Sequence, residues 1–180
     1  MLRLIIFFTF FIFIQAAKTQ NKILKTYTGK ISFESIAPLE TIKASTKKLT
    51  GIINLSTNGF SFKVNMNTFD GFNNPLQKEH FFENYMETEQ FAESFFSGKI
   101  IEPIKENGVQ KLRAKGMLTI HGISNEVLID VEINFDGKKL SFNSNFNVLL
   151  EDYNINVPKI VSQKISPIIK ISVSGLLSDK

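Results

Sequence analysis

His80 and His121 are the two imidazoles of a 180-residue chain that has no cysteine, so any metal or acid–base chemistry must be built from them and nearby carboxylates. Glu79, Glu83 and Asp70 are the candidate carboxylates, and together these groups would make a site if the fold brings them together. The spacing gives little support. The histidines are far apart in sequence rather than paired at metal-ligand spacing, and each also suits a turn or a helix end, the commoner role for an isolated histidine. Without cysteine there is no disulfide, no zinc–thiolate site, no thiol nucleophile and no lipidated N-terminal cysteine. No glycine-rich phosphate loop and no G-x-S-x-G elbow occurs. The expectation is a protein that is not an enzyme, with no catalytic residues, no metal and no cofactor. A small lipid hydrolase using His80 or His121 with a carboxylate is the less favoured alternative.

The elements that position these residues begin after an N-terminal leader. Met1 to Arg3 supply a positive start, Leu4 to Ile14 are apolar apart from Thr9, and Ala16-Ala17 offer small residues to a peptidase. A membrane anchor is the rival reading, but eleven helical residues rise only about 16 Å, half of a hydrocarbon core, so a cleaved signal peptide over residues 1–17, with the cut between 16 and 19, is favoured. The expected location is periplasmic or secreted. Residues 18–180 are of single-domain size. Loss of Arg3 leaves 20 basic residues against 17 acidic ones, and the longest basic runs are the pairs Lys47-Lys48 and Lys138-Lys139. No basic stripe suits a nucleic acid, so no nucleic-acid partner is expected.

Apolar residues then recur at every second position, the period of a half-buried strand. Phe60, Phe62, Val64 and Met66 form one such row, Leu112 to Ile120 a second, Val127 to Phe135 a third, and Leu140, Phe142, Phe146 and Val148 a fourth. Asn58-Gly59 and Asp136-Gly137 are tight-hairpin dipeptides. Strands are expected near 28–34, 42–55, 59–68, 94–102, 109–121, 125–135, 139–150 and 167–177. The class is all-β, and alternation alone suits a sandwich and a barrel equally. One segment differs: Asn74 before Pro75 caps one short helix inserted between strands, and Lys78 to Glu89 carries Phe81, Phe82, Tyr85 and Met86 at helical spacing. Those rings either pack on the sheet or gate its interior.

Three blocks carry a family resemblance. Gly29-Lys30-Ile31-Ser32-Phe33-Glu34-Ser35 with Ala37-Pro38-Leu39-Glu40 and Gly51-Ile52-Ile53 is the first, and Glu79-His80-Phe81 with Glu83-Asn84-Tyr85-Met86 is the core of the second. The third, Gly116-Met117-Leu118-Thr119-Ile120-His121-Gly122-Ile123, is the most specific. In this order they resemble YceI-like proteins over essentially the whole chain after the leader. The chain departs from the family pattern at Phe91-Ala92-Glu93-Ser94-Phe95-Phe96, where a proline is common, and at Ser124-Asn125-Glu126-Val127, where a basic residue and proline are common. Both are turn positions, where loop geometry rather than fold is at stake.

The resemblance implies an eight-stranded antiparallel lipocalin-like β-barrel, usually exported, holding an isoprenoid-type lipid such as a polyprenyl chain or quinone tail. The composition is compatible with it: of 18 phenylalanines five lie in the leader, and the chain has no tryptophan. Alternation nominates Phe33, Phe62, Val64, Met66, Leu118, Ile120, Ile129, Val131, Phe142 and Phe146 as lining residues, with Phe81, Tyr85 and Met86 near the mouth. Each also reads as plain core, because a one-residue slip exchanges inside and outside. The leading expectation is a carrier or storage protein; a stress-protective scavenger of hydrophobic compounds shares the cavity and differs in ligand. Transient membrane contact and a homodimer formed through an exposed strand edge are left open.

Overall fold

The computed structural model describes residues 22–179, so the expected leader over residues 1–17 and its cleavage position lie outside the described residues. Eight strands follow in order: β1 Ile23–Ile36, β2 Thr41–Asn54, β3 Gly59–Asn65, β4 Glu93–Ile100, β5 Gly108–Ile120, β6 Ile123–Phe135, β7 Leu140–Leu149 and β8 Ile168–Leu177. Each pairs antiparallel with its sequence neighbour, and β8 returns to β1 through Lys30–Ser35 against Ser174–Ile169, which closes the barrel. Closure settles what alternation left open between sandwich and barrel. It also satisfies the two terminal strands with each other's hydrogen bonds.

The period-two pattern survives two irregularities between β1 and β2. The register shifts between Thr26 and Gly29 and again between Gly29 and Ile31, opposite Leu49 and Thr46. These bulges change which β1 parity faces inward, from Leu24 and Thr26 below to Phe33 and Ser35 above. Lys47 and Lys48, the basic pair of the sequence, lie in the second bulge and point to solvent.

The barrel has unlike ends. At one end the β2–β3, β4–β5 and β6–β7 turns meet the chain termini, and Leu24, Leu140 and Leu177 there are fully buried beside Ile53, Leu112 and Phe135. Burying such side chains is worth roughly 1.5–3 kcal/mol each, so this end is a solid plug. Asp136 shapes its β6–β7 turn by accepting from the Lys138 and Lys139 amides at 2.9 and 2.6 Å. At the other end the strands splay. β6 pairs with β7 only over Glu132–Phe135 and β2 with β3 only over Thr50–Asn54. Non-strand segments fill both gaps: Asp70 exchanges backbone hydrogen bonds with Ser45 at 2.8 and 3.0 Å, and the Asn125 side-chain carboxamide donates to the Asp152 carbonyl at 2.6 Å.

The short helix expected between strands is present, and only its first part is α. α1 covers only Pro75–His80, with the Asn74 carboxamide accepting from the Gln77 amide at 2.9 Å. A widened π-type turn, Phe81–Tyr85, follows, and the chain leaves it at Met86 because Glu87 takes a left-handed φ of 43°. The strand expected to reach residue 68 stops at Asn65, whose side chain accepts from the Asn67 amide at 2.9 Å and turns Met66–Thr68 into a 3-10 helix. Local side-chain competition for backbone donors ends the ladder there.

His121 ties the splayed end together. It sits with Gly122 in the two-residue β5–β6 turn, both at positive φ (50° and 72°). Its Nδ1 donates to the Tyr153 carbonyl at 3.1 Å, and its Nε2 lies 2.8 Å from the Glu87 carboxylate. A carbonyl only accepts, so Nδ1 is the donor of the Tyr153 contact. Phe91 packs edge-on against the imidazole at 4.7 Å, and a Cβ at Gly122 would stand 2.5 Å from the Phe91 ring. The His-Gly signature thus joins the β5–β6 turn, the segment after α1 and the turn after β7.

Two outcomes follow. His121→Ala, which orphans the Tyr153 carbonyl and the Glu87 carboxylate, lowers unfolding free energy by about 1–3 kcal/mol in urea titrations, and leaves whatever the barrel interior binds in place. Acid sensitivity comes from surface carboxylates held below their ordinary values: Glu102 by hydrogen bonds from Arg113, Asp136 by the Lys139 and Lys138 amides, Asp70 and Glu34 by Lys78 and Lys43. Their folded-state pKa values lie below the unfolded ones. The stability they confer is therefore full above about pH 4–4.5 and is lost as pH falls through the folded values. Melting temperature falls across that range, and the fall is smaller in Glu102→Gln.

Candidate functional site

Because the inward row is mostly branched or aromatic and the strands splay at one end, the barrel encloses a cavity of about 540 Å³, within the usual size of ligand pockets. It runs from the open end down to Phe60, Ile100, Ile133 and Leu177, and the Leu24–Leu140 plug shuts it below. All thirteen residues nominated from the sequence line it. Phe33 comes from β1, Phe62 and Val64 from β3, Leu118 and Ile120 from β5, Ile129 and Val131 from β6, and Phe142 and Phe146 from β7. Met66 stands just past β3, Phe81 and Tyr85 come from the π-type turn, and Met86 follows it.

Two groups of rings set its shape. Phe33 stacks on Phe81 at 5.1 Å and tilts against Phe69 and Phe72 at 5.8 and 6.1 Å, which fastens the segment after α1 to β1 as a roof. Phe82, the other phenylalanine of the helical segment, does not line the cavity and packs on Phe72 at 6.0 Å. Midway down, Phe62 meets Phe142 at 5.2 Å. Each of that pair lies over a glycine: a Cβ at Gly51 would fall 2.1 Å from the Phe62 ring, and one at Gly175 2.8 Å from Phe142. The glycines let the rings lie flat on the wall, which keeps the lumen open where two phenylalanines would otherwise fill it.

Polar groups reach the lumen sparsely. Ser144 donates to the Asp130 carbonyl at 2.6 Å, Ser94 contacts the Met66 sulfur at 3.3 Å, and the Ser35 hydroxyl accepts from the Ser166 amide at 2.9 Å. Tyr85 brings a phenol whose pKa burial pushes up, so it stays neutral. At the mouth stand Glu40, Asn74, Gln77, His80 and Lys164, with Glu40 accepting from the Gln77 carboxamide at 3.0 Å. A wall of this kind supplies contact area and few directional bonds, which suits a long apolar molecule.

The histidines do not form one site. His80 is exposed and borders the mouth, whereas His121 does not line the cavity and is committed to Glu87 and Tyr153. Asp70 is paired with Lys78 at 3.0 Å rather than with either imidazole. Among the described residues no group of three His, Asp or Glu is placed to hold a metal ion. Sequence reasoning missed much of the wall, including Ile169, Ile171 and Val173 of β8 and Phe69 and Phe72 of the roof. The β8 row was visible as alternation; the roof residues lie in irregular chain, where no period marks them.

Comparisons with known proteins agree with this architecture. The YceI-like domain family matches residues 18–175. A search of curated proteins gives no match. Among solved structures, a polyisoprenoid binding domain from Saccharophagus degradans implicated in plant cell wall breakdown superimposes with a TM-score of 0.73 at 9% identity, covering 88% of this chain and 99% of that one. Burkholderia cenocepacia BcnA gives 0.68 at 14% identity, over 83% and 96%. A Campylobacter jejuni YCEI protein gives 0.60 at 18%, over 76% and 84%. At such identities the structures share a fold with this chain. The sequence match over residues 18–175, on a closed barrel with an apolar lumen, establishes that the chain belongs to the YceI-like domain family.

Proposed function

We propose that the barrel is an exported carrier or storage protein that holds one isoprenoid-type lipid, a polyprenyl chain or a quinone tail, along its lumen. The observation that carries this reading is the cavity itself: about 540 Å³, closed by leucines at one end and open at the other, with aromatic and aliphatic walls. The polyisoprenoid-binding neighbour from Saccharophagus degradans supports the ligand class. Export is supported by the apolar Leu4–Ile14 run behind Arg3.

The energetics fit a chain-like ligand. Burying roughly 400 Å² of hydrocarbon is worth about 10 kcal/mol before the costs of association, enough for firm retention without a charged anchor. The same walls discriminate length weakly, because one methylene changes affinity by only about 1 kcal/mol.

Organic extracts of protein purified without detergent, read by mass spectrometry, are expected to contain a prenyl-chain lipid in near-stoichiometric amount. A reproducibly empty barrel would count decisively against the reading. Ala114, a small wall residue between Ile100 and Ile129, provides the matched variant. Ala114→Phe fills the lumen and reduces recovered lipid at least about tenfold, the effect of losing one well-buried apolar contact set, with the β-sheet circular dichroism unchanged.

A further inference from the structure

The open end of the barrel presents apolar side chains to solvent on three segments that hydrogen bonds hold together around the cavity mouth. Ile160, in the short 3-10 turn Lys159–Val161, is 92% exposed; Leu39, in the β1–β2 turn, is 66% exposed; Leu76, in the first turn of α1, is 58% exposed. The Leu39 amide donates to the Gln163 carbonyl at 2.9 Å. Asn73 and Gln77 at the start of α1 donate to Glu40 and to the Thr41 carbonyl, at 3.4, 3.0 and 3.0 Å. Leu76, Val161 and Lys164 of this ring also line the cavity, so the exposed apolar rim and the lumen are one continuous surface.

Charge is distributed in the same sense. From Tyr153 to Ser178 the chain carries Lys159, Lys164 and Lys170 and no acidic residue. The carboxylate of Glu40 is engaged by the Gln77 and Asn73 carboxamides. Ile36 and Ile168, both exposed, extend the apolar area down the outside of β1 and β8, where Ser35 pairs with Ile169. The residues of α1 that reach the cavity are Leu76, Gln77 and His80; Glu79 does not.

We infer that this rim docks on a bilayer surface bearing anionic headgroups, Ile160, Leu39 and Leu76 entering the interfacial layer while Lys159 and Lys164 meet lipid phosphates. Apolar tips beside lysines are the combination that holds a protein at such an interface. Docking in this pose sets the cavity mouth against the bilayer, so an apolar ligand passes between membrane and lumen without crossing water. The inference rests on the lipid-binding reading of the lumen and names the partner of the same site.

The test is flotation of the purified protein with vesicles of equimolar phosphatidylcholine and phosphatidylglycerol, or of phosphatidylcholine alone. Ile160→Asp and Leu39→Asp are compared with Val109→Asp, an equally exposed position (66%) at the plugged end. All carry the same N-terminus, so any contribution of the leader is common to them. Ile160→Asp and Leu39→Asp are expected to lower vesicle binding about tenfold or more and Val109→Asp to leave it unchanged. The double variant K159Q/K164Q lowers binding to the anionic vesicles roughly tenfold and has little effect on the neutral ones. Equal losses from both ends, or no loss from the rim variants, overturns the inference. So does a sedimentation-velocity shift in Ile160→Asp from dimer to monomer without vesicle binding by the parent, which would make the rim an interface between two copies. Calorimetric titration with farnesol reads the lumen separately. Failure of the parent to take up farnesol overturns the lipid-binding reading, while rim-dependent flotation still stands as membrane docking.

Discussion

The structure depends on one constraint: a barrel that does not fill its interior must be held by its wall. A packed core gains dispersion contacts at every layer, and a lumen forgoes them over much of its length. The compensation is a hydrogen-bonded ladder with no loose end, since each strand pairs with its neighbour and β8 closes on β1. Solid packing is concentrated at the plug around Leu24, Leu140 and Leu177. Were β8 to detach from β1, both strands would expose unpaired backbone and the plug would lose Leu24 and Leu177 together.

The splayed end shows the cost of the same arrangement. Where β6 leaves β7 and β2 leaves β3, ladder bonds are absent, and irregular chain must satisfy the wall instead. The roof does this with rings, through Phe33, Phe69, Phe72 and Phe81. The opposite side does it with polar groups, through His121, Glu87 and the Tyr153 carbonyl. Such histidine–carboxylate geometry resembles a catalytic pair in isolation. Its place outside the lumen, spanning three loops, gives it a positioning role.

Much of this was legible in the sequence because a strand advertises its inner face. Phe62, Val64, Leu118, Ile129 and Phe142 were assigned inward by parity, and parity persists through regular strand. Hairpin turns at Asn58 and Gly137 were legible for the same local reason, the need for positive φ. What parity could not give was the space between the walls. Hollowness depends on long-range placement: the bulges between β1 and β2, and the glycines at 51 and 175 that flatten Phe62 and Phe142. Phe81, Phe82, Tyr85 and Met86 satisfy α-helical spacing, which marks the short helix but does not distinguish an α turn from a wider one. A widened turn that seats Phe81 on Phe33 satisfies tertiary packing better.

A lumen bounded in this way couples occupancy to stability. An apolar ligand of the proposed kind would supply the contacts that the wall residues lack, acting as the missing core, and any molecule that binds the folded state alone stabilises it by mass action. The effect falls unevenly along the barrel. The plugged end is complete without a ligand, whereas the roof over the mouth rests on a few ring contacts and on carboxamide bonds from Gln77 and Asn73 to Glu40. Local opening free energy is lowest where buried contacts are fewest. The segment from Asn73 to Met86 stands over the end through which a ligand of the proposed kind would pass, so its ring and carboxamide contacts are the ones that opening would break.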